Sequence, residues 1–178
     1  MSALPQYRLL RNLPSRDLLA ASGLFEGRES QVSFFATSEA LLGSPREYRQ
    51  LAELGFEIGS CALDGFTDDA GDLPNWTIEM VMADLRDAKD LLEEVLPGAS
   101  SCSFLMPGSS CLCLANLEGQ ELVPYLPAAL AVFGRVLQVG GDRVGLLFDR
   151  TAIAQDVDVL VARSLAEAEA IVAIQPQR

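Results

Sequence analysis

The stretch that decides the fold is SPREYRQLAELGFEIGSC, residues 44–61, which predicts a helix followed directly by a strand. Ser44 stands before Pro45 and three residues ahead of Glu47, so we expect Ser44 to be the N-cap and Pro45 the first helical residue. Gly55 follows the last predicted turn, where glycine commonly ends a helix. The apolar run FEIGSC then predicts a strand.

The segments on either side continue this alternation. A short strand is predicted around Tyr7 to Leu10, and a helix opens near Pro14 and Ser15. QVSFFATS, residues 31–38, predicts a strand buried on both faces. The stretch WTIEMVMADLRDAKDLLEEVL has apolar residues at steps of three and four, which is typical of a surface helix that covers a sheet.

The C-terminal half follows the same scheme with more interruptions. SCSFLMPG predicts a strand, and SCLCLA is a further candidate strand. ELVPYLPAALAVFGRVLQ predicts a helix that Pro124 and Pro127 kink or delay. DRVGLLFD predicts a strand, residues 154–168 a helix, and AIVAI a closing strand.

Strands that alternate with helices indicate an α/β fold with a mostly parallel sheet. We predict a single domain over residues 1–178, built as a distorted or incomplete (β/α) barrel with about six or seven mostly parallel strands. In such barrels the functional end lies at the C-terminal ends of the strands.

The net charge of the chain limits the classes of partner that we expect it to bind. The formal net charge is -12, from 25 acidic and 13 basic residues. A field of this sign repels phosphate backbones and anionic lipid, so we expect neither nucleic acid nor a membrane as partner. The start MSALPQYRLL has no secretory signal pattern, and no window reaches the roughly 18–20 apolar residues of a membrane span, so a cytoplasmic protein is expected.

Four segments in order resemble the NodB-type polysaccharide deacetylases: QVSFFATSEAL, SPREYRQLAELGFEIGSC, the long stretch from LPNWTIEM to SFLMPGS, and VGLLFD. In that family a TFF-V-T-G strand, a G-H-E-I-G-N-H strand, an F-R-P-P-Y-G turn and an L-L-H-D strand follow one another. The resemblance covers most of the chain, and FEIGS after a helix ending in Leu-Gly is its most specific part. It implies removal of acetyl groups from sugars by a divalent metal held by one aspartate and two histidines.

The resemblance also implies that the metal site is degenerate here. The family's base aspartate falls on Arg11 and its metal aspartate on Asn12. The two metal-binding histidines fall on Cys61 and Gly65. Because the chain contains 0 histidines, a shifted alignment would not restore this ligand set. We therefore expect no metal and no cofactor.

The remaining catalytic positions are changed as well. The arginine that orients the base falls on Leu105, and the late acid histidine falls on Phe148, with Asp149 retained after it. By the resemblance, every catalytic position that can be mapped has lost its chemistry.

Other sites stay open as alternatives. Cys61, Cys111 and Cys113 could form a zinc site with Asp64, although a C-x-C pair is shorter than the usual structural spacing. The four cysteines, which include Cys102, are more simply reduced thiols. The acidic loop DGFTDDAGD lacks the regular spacing of a calcium loop.

Three residues are candidates for ligand binding. Asp64 lies in the acidic loop, and Trp76 offers a ring that could stack on a sugar but could equally form a hydrophobic staple at the start of a helix. Asp149 could be a polar group in a pocket or a helix N-cap, and the cap is favoured.

The leading hypothesis is a catalytically inactive deacetylase-like protein that binds a glycan or a protein partner. An enzyme of altered mechanism, with a cysteine-based site at Cys61 beside Arg11, is the alternative. A homo-oligomer is a further possibility if the apolar segment PYLPAALAVFG exposes Leu130, Val132 and Phe133.

Overall fold

Seven strands of the chain close into a barrel with helices packed around it. The computed structural model describes residues 4–61, 78–98, 103–106, 114–115, 122–123, 125–139, 143–150 and 153–174. The strands are β1 (Gln6–Arg11), β2 (Val32–Ala36), β3 (Glu57–Ser60), β4 (Ser103–Leu105), β5 (Leu114–Ala115), β6 (Leu122–Val123), β7 (Arg135–Val139), β8 (Val144–Asp149) and β9 (Ala154–Ala162). The helices are α1 (Ser15–Leu24), α2 (Ser38–Gly43), α3 (Pro45–Glu53), α4 (Ile78–Val95), α5 (Tyr125–Val132) and α6 (Leu165–Ala173).

The order of strands around the barrel is β1-β2-β3-β4-β7-β8-β9, and β9 pairs with β1 to close it. β8 is antiparallel to both of its neighbours, whereas every other pair is parallel. Six strands therefore point the same way and β8 alone is reversed. β5 and β6 form a separate antiparallel pair. The predicted distorted barrel of six or seven mostly parallel strands is confirmed.

We call the end at which the six parallel strands finish the upper mouth; Arg11, Asn12 and Cys61 lie there. The end at which those strands begin is the lower mouth, where Tyr7 and Glu57 lie near the starts of β1 and β3. The reversal of β8 places its last residues at the lower mouth rather than the upper one.

Alternating side chains divide the barrel into an interior and an outer wall. The interior is packed with residues that all come from the strands or directly follow one: Leu9, Phe35, Cys61, Leu105, Leu137, Val157 and Val159. The outer wall meets the helices in two clusters, one with residues of α1, α2, α3, α6 and the C-terminal part of α4, and the other with residues of α5 and the N-terminal part of α4. Burial of these apolar faces from water stabilises the whole arrangement.

Local signals explain where the helices begin and end. Thr37 caps α2 by accepting a hydrogen bond from the main-chain nitrogen of Ala40 at 3.2 Å. Ser44 is the N-cap residue of α3 and Pro45 begins the helix, both as predicted, although the side chain of Ser44 makes no capping hydrogen bond. Gly55 follows the helix with a φ of 98°, a conformation that glycine adopts without strain.

Three predicted elements in the C-terminal part are wrong. Residues 135–139 form β7 instead of continuing a helix, although α5 does start late, at Tyr125 after Pro124. Residues 154–162 form a strand rather than a helix. Residues 170–173, predicted as part of a closing strand, belong to the helix α6, and Ser164 caps this helix by accepting a hydrogen bond from the main-chain nitrogen of Glu167.

Helix α5 does not offer the apolar face that an oligomer through this segment requires. Leu130, Val132 and Phe133 are buried in the cluster that α5 forms with α4 and the barrel wall. These three residues therefore do not form the exposed apolar surface that self-association through PYLPAALAVFG would need. Across the ranges that the structure describes, no helix is both long enough and apolar enough to cross a bilayer.

The close approach of Phe35 to Gly59 allows the tight packing of the barrel interior to be tested. A Cβ atom on Gly59 would collide with two ring atoms of Phe35 and would lie 2.9 Å from the main-chain oxygen of Ser103. We expect Gly59→Ala to lower the free energy of unfolding by about 1–3 kcal/mol, because neither the core ring nor the main chain can move freely. Urea denaturation followed by circular dichroism measures it.

The matched control is Gly23→Ala on α1, where an added Cβ meets nothing within 4 Å. Alanine favours a helix over glycine, so this variant should be more stable by roughly 0.5–1 kcal/mol. Equal effects of the two substitutions would contradict the packing described for the interior.

Candidate functional site at the upper mouth

The main chain at the upper mouth is held by hydrogen bonds that extend beyond the strand ends. The nitrogen of Asn12 donates to the oxygen of Phe35 at 3.0 Å, and the nitrogen of Cys61 donates to the oxygen of Ala36 at 3.1 Å. The nitrogen of Met106 donates to the oxygen of Leu137 at 2.8 Å. The main chain directly after β1, β3 and β4 is thus held in place, and so are the side chains attached to it.

Arg11 and Cys61 occupy the upper end of the interior together. Strand alternation puts Arg11 on the same face as Leu9, which packs in the interior. The side chain of Arg11 is hydrogen-bonded to the thiol of Cys61. Two positions that the resemblance assigns to the base aspartate and a metal histidine are therefore in contact, but as a guanidinium and a thiol.

The thiol of Cys61 is kept in its neutral form. Burial raises its pKa from the ordinary 9.0 to about 11, and the nearby Arg11 offsets only part of that shift. Burial also raises the pKa of the Tyr48 hydroxyl, and the proximity of Cys61 raises it further. Because the thiolate is the form that attacks substrates and binds metals, Cys61 is poorly suited to either role near pH 7.

The amide of Asn12 is used to hold the turn after β2. Asn12 has a φ of 50°, in the left-handed region that asparagine tolerates better than most residues. Its Oδ1 atom accepts a hydrogen bond from the main-chain nitrogen of Thr37 at 2.9 Å. The residue at the position of the family's metal aspartate thus has a structural role at the start of α2.

Leu105 and Phe148 differ in where the structure places them. Leu105 is buried in the barrel interior, on the strand that precedes Met106 at the upper mouth. Phe148 lies near the end of the reversed strand β8 and packs on the outer wall with residues of α4 and α5. The structure does not bring Phe148 together with Arg11 and Cys61.

Asp149 also lies at the lower mouth, opposite Arg135 in the pairing of β7 with β8. It does not cap a helix as favoured from the sequence, because the chain turns from it towards β9. At the upper mouth the strand beside Arg11 is β9, whose last residue Ala162 is paired with Leu10. The sequence assignment of residues 154–168 to a helix concealed this strand.

Several sequence candidates lie outside the described residues. They are Gly65, Asp64, Trp76, Cys102, Cys111, Cys113 and the acidic loop between β3 and α4. The zinc, calcium and sugar-stacking alternatives that depend on them stay predictions.

A divalent metal does not fit the described residues of the upper mouth. The amide oxygen of Asn12 is engaged by the main chain, and Cys61 is a neutral thiol in contact with a guanidinium. The positive charge of Arg11 opposes a cation at short range. Within the described ranges, no group of three or more histidine, cysteine, aspartate or glutamate residues is placed to hold a metal ion.

A second polar group, which sequence reasoning missed, lies at the lower mouth. The Nη2 atom of Arg135 donates to the hydroxyl of Tyr7 at 3.3 Å, and its Nη1 atom lies 3.8 Å from the Oε2 atom of Glu57. The hydroxyl of Ser33 donates to the Oε1 atom of Glu57 at 3.1 Å. The sequence did contain a signal for this group, because each of four strands has a polar residue at an interior position near its start.

No protein-family model matches the chain, and no curated protein matches it in sequence. Solved structures do match its fold. A CE4 family pseudoenzyme from Bacillus anthracis aligns with a TM-score of 0.61 and 11% identity over 94% of this chain and 58% of that one. A mutant of that pseudoenzyme with restored enzymatic activity aligns with a TM-score of 0.54 and 8% identity over 94% of this chain and 59% of that one.

A peptidoglycan N-acetylglucosamine deacetylase aligns as well, with a TM-score of 0.55 and 12% identity over 94% of this chain and 80% of that one. The chain thus has the fold of CE4, the NodB-type deacetylase family, as the resemblance implied. It spans about three fifths of the length of the pseudoenzyme that it matches.

The burial of Cys61 predicts a specific dependence of stability on pH. The unfolded thiol releases its proton near 9.0 and the folded one near 11. The folded state therefore binds more protons in this window, and the free energy of unfolding should fall by about 2–3 kcal/mol as the pH rises from about 9 to 11.

Urea denaturation at steps of pH 7 to 11 measures this effect, with Cys61→Ala as the reference that lacks the thiol. The difference between the two proteins should be constant below pH 9 and shrink above it. A difference that does not change up to pH 11 would contradict a buried neutral thiol.

Proposed function

We propose that this protein is a catalytically inactive domain of the CE4 fold that binds a glycan or a protein partner. The observation that supports the proposal most is the pairing of Arg11 with Cys61 where the resemblance places a catalytic carboxylate and a metal ligand. The absence of histidine from the whole sequence adds to it.

Hydrolysis of an acetyl group needs an activated water and groups that transfer protons. The described upper mouth offers a guanidinium that can only donate hydrogen bonds, a neutral thiol and an amide whose oxygen is bonded to the main chain. Leu105 adds only an apolar surface. None of these side chains can act as a general base near pH 7, so binding is the better supported role.

The pseudoenzyme from Bacillus anthracis supports the proposal as an analogy, because it is a CE4 family protein described as a pseudoenzyme. The likeness is one of fold, so the analogy supplies neither a ligand nor a partner. We place the protein in the cytoplasm because its four cysteines lack the spacing of a secreted disulfide framework.

The alternative is a cysteine-based enzyme. It requires that Cys61 ionise near neutral pH and be reached by substrate, yet Cys61 is fully buried and its pKa is raised. We therefore favour the inactive domain.

The proposal is tested on purified protein that has not been exposed to a chelator. We expect no stoichiometric divalent metal by elemental analysis and no acetate release above the blank from acetylated chito-oligosaccharides. An active CE4 deacetylase in the same buffer controls for the assay. Zinc at one equivalent that is lost in Cys61→Ala, or acetate release by the chain, would contradict the proposal.

A further inference from the structure

We propose that the lower mouth of the barrel is a binding site for an uncharged sugar, at the end opposite to the degenerate catalytic positions. The site consists of Tyr7, Ser33, Glu57 and Arg135, which we call the lower cluster. The inference rests on the proposed function, since it assigns the glycan of that proposal to a place and a chemical class.

The lower cluster reaches across the barrel. Arg135 is on β7 and Tyr7 is on β1, and at least two strands separate them in either direction around the barrel. The hydrogen bond of 3.3 Å between them therefore crosses the interior. The guanidinium carbon also lies 6.0 Å from the centre of the tyrosine ring, at the outer limit of a cation–π contact.

The cluster remains open to water although it belongs to the interior face. The side chains of Arg135 and Glu57 keep 36% and 32% of their surface exposed. Deeper in the barrel, Leu9, Phe35 and Leu137 are almost completely buried. The lower mouth is thus a set of convergent polar groups above an apolar floor, which is the usual composition of a small-molecule site.

Stability alone gives a weak reason for these residues. An ion pair with this exposure and a separation of 3.8 Å contributes little to folding. Apolar residues at the same interior positions would extend the packed core. A polar layer that is kept accessible is better explained by contact with a ligand.

The chemistry of the lower cluster favours a ligand with many hydroxyl groups and no negative charge. A guanidinium donates, a carboxylate accepts, and the hydroxyls of Tyr7 and Ser33 can do both. Sugar hydroxyls can satisfy all of them. The Arg135 guanidinium lies beside the Glu57 carboxylate and opposite Asp149 in the pairing of β7 with β8, so carboxylates outnumber guanidinium groups here. This local charge and the net charge of -12 both disfavour an anionic ligand.

Titration of isotope-labelled protein with N-acetylglucosamine and glucose, followed by NMR, tests the site. We expect shifts of the Arg135 side-chain Nε–H signal and of main-chain signals at the starts of β1, β3 and β7. Glucuronate serves as the anionic probe and should bind about tenfold more weakly. Tyr7→Phe, which removes only a hydroxyl, should weaken sugar binding by about tenfold.

Tyr48→Phe is the matched control, because Tyr48 is buried in the cluster outside the barrel interior and its loss of a hydroxyl should leave sugar binding unchanged. Glu57→Gln is a second variant that keeps the shape and removes the charge, and it too should weaken binding. Thermal denaturation of each variant verifies that it is folded.

The absence of shifts at the lower cluster up to about 100 mM sugar, or shifts that follow Arg11 at the upper mouth instead, would overturn the site. That result would leave the inactive-domain proposal intact. Acetate release, in contrast, would refute the inactive-domain proposal without affecting binding at the lower cluster, so the two failures are distinguishable.

Discussion

The pairing of β9 with β1 is the constraint on which the rest of the structure depends. Five residue pairs, from Gln6 with Asp158 to Leu10 with Ala162, close the barrel in parallel. β7 and β9 point the same way, and β8 lies between them and runs antiparallel to both. This reversal decides at which mouth the residues of β8 lie, and it separates Phe148 from Arg11 and Cys61, which the resemblance also assigns to catalytic positions.

The filled interior gives the two mouths separate chemistry. The ring of Phe35 lies against Gly59 in the middle of the barrel, where any larger side chain on β3 would collide with it. Above this layer, Arg11 and the neutral thiol of Cys61 stand where the resemblance places metal chemistry. Below it, the partly exposed Arg135 lies beside Glu57 and opposite Asp149. The fold of a deacetylase family is thus present here with different side chains at its two mouths.

The sequence predicted the first half of the barrel well because its signals are local. Pro45 and Gly55 bound α3, and the apolar runs that form β2 and β3 are short and uninterrupted. It failed at residues 154–162, where alternation of aspartate and valine on β9 indicates a strand with one face inside the barrel. It also failed at residues 170–173, which continue the helix α6 instead of forming the predicted closing strand.

The lower cluster could not be predicted, because it depends on long-range pairing of strands that the sequence does not specify. Zinc-edge anomalous diffraction from crystals grown with zinc tests the central claim most directly, namely that a guanidinium and a neutral thiol have replaced the metal site. The account predicts no anomalous peak beside Asn12 and Cys61, with the Arg11 guanidinium still bonded to the thiol. A zinc peak on the sulfur of Cys61, with Arg11 displaced, would contradict it.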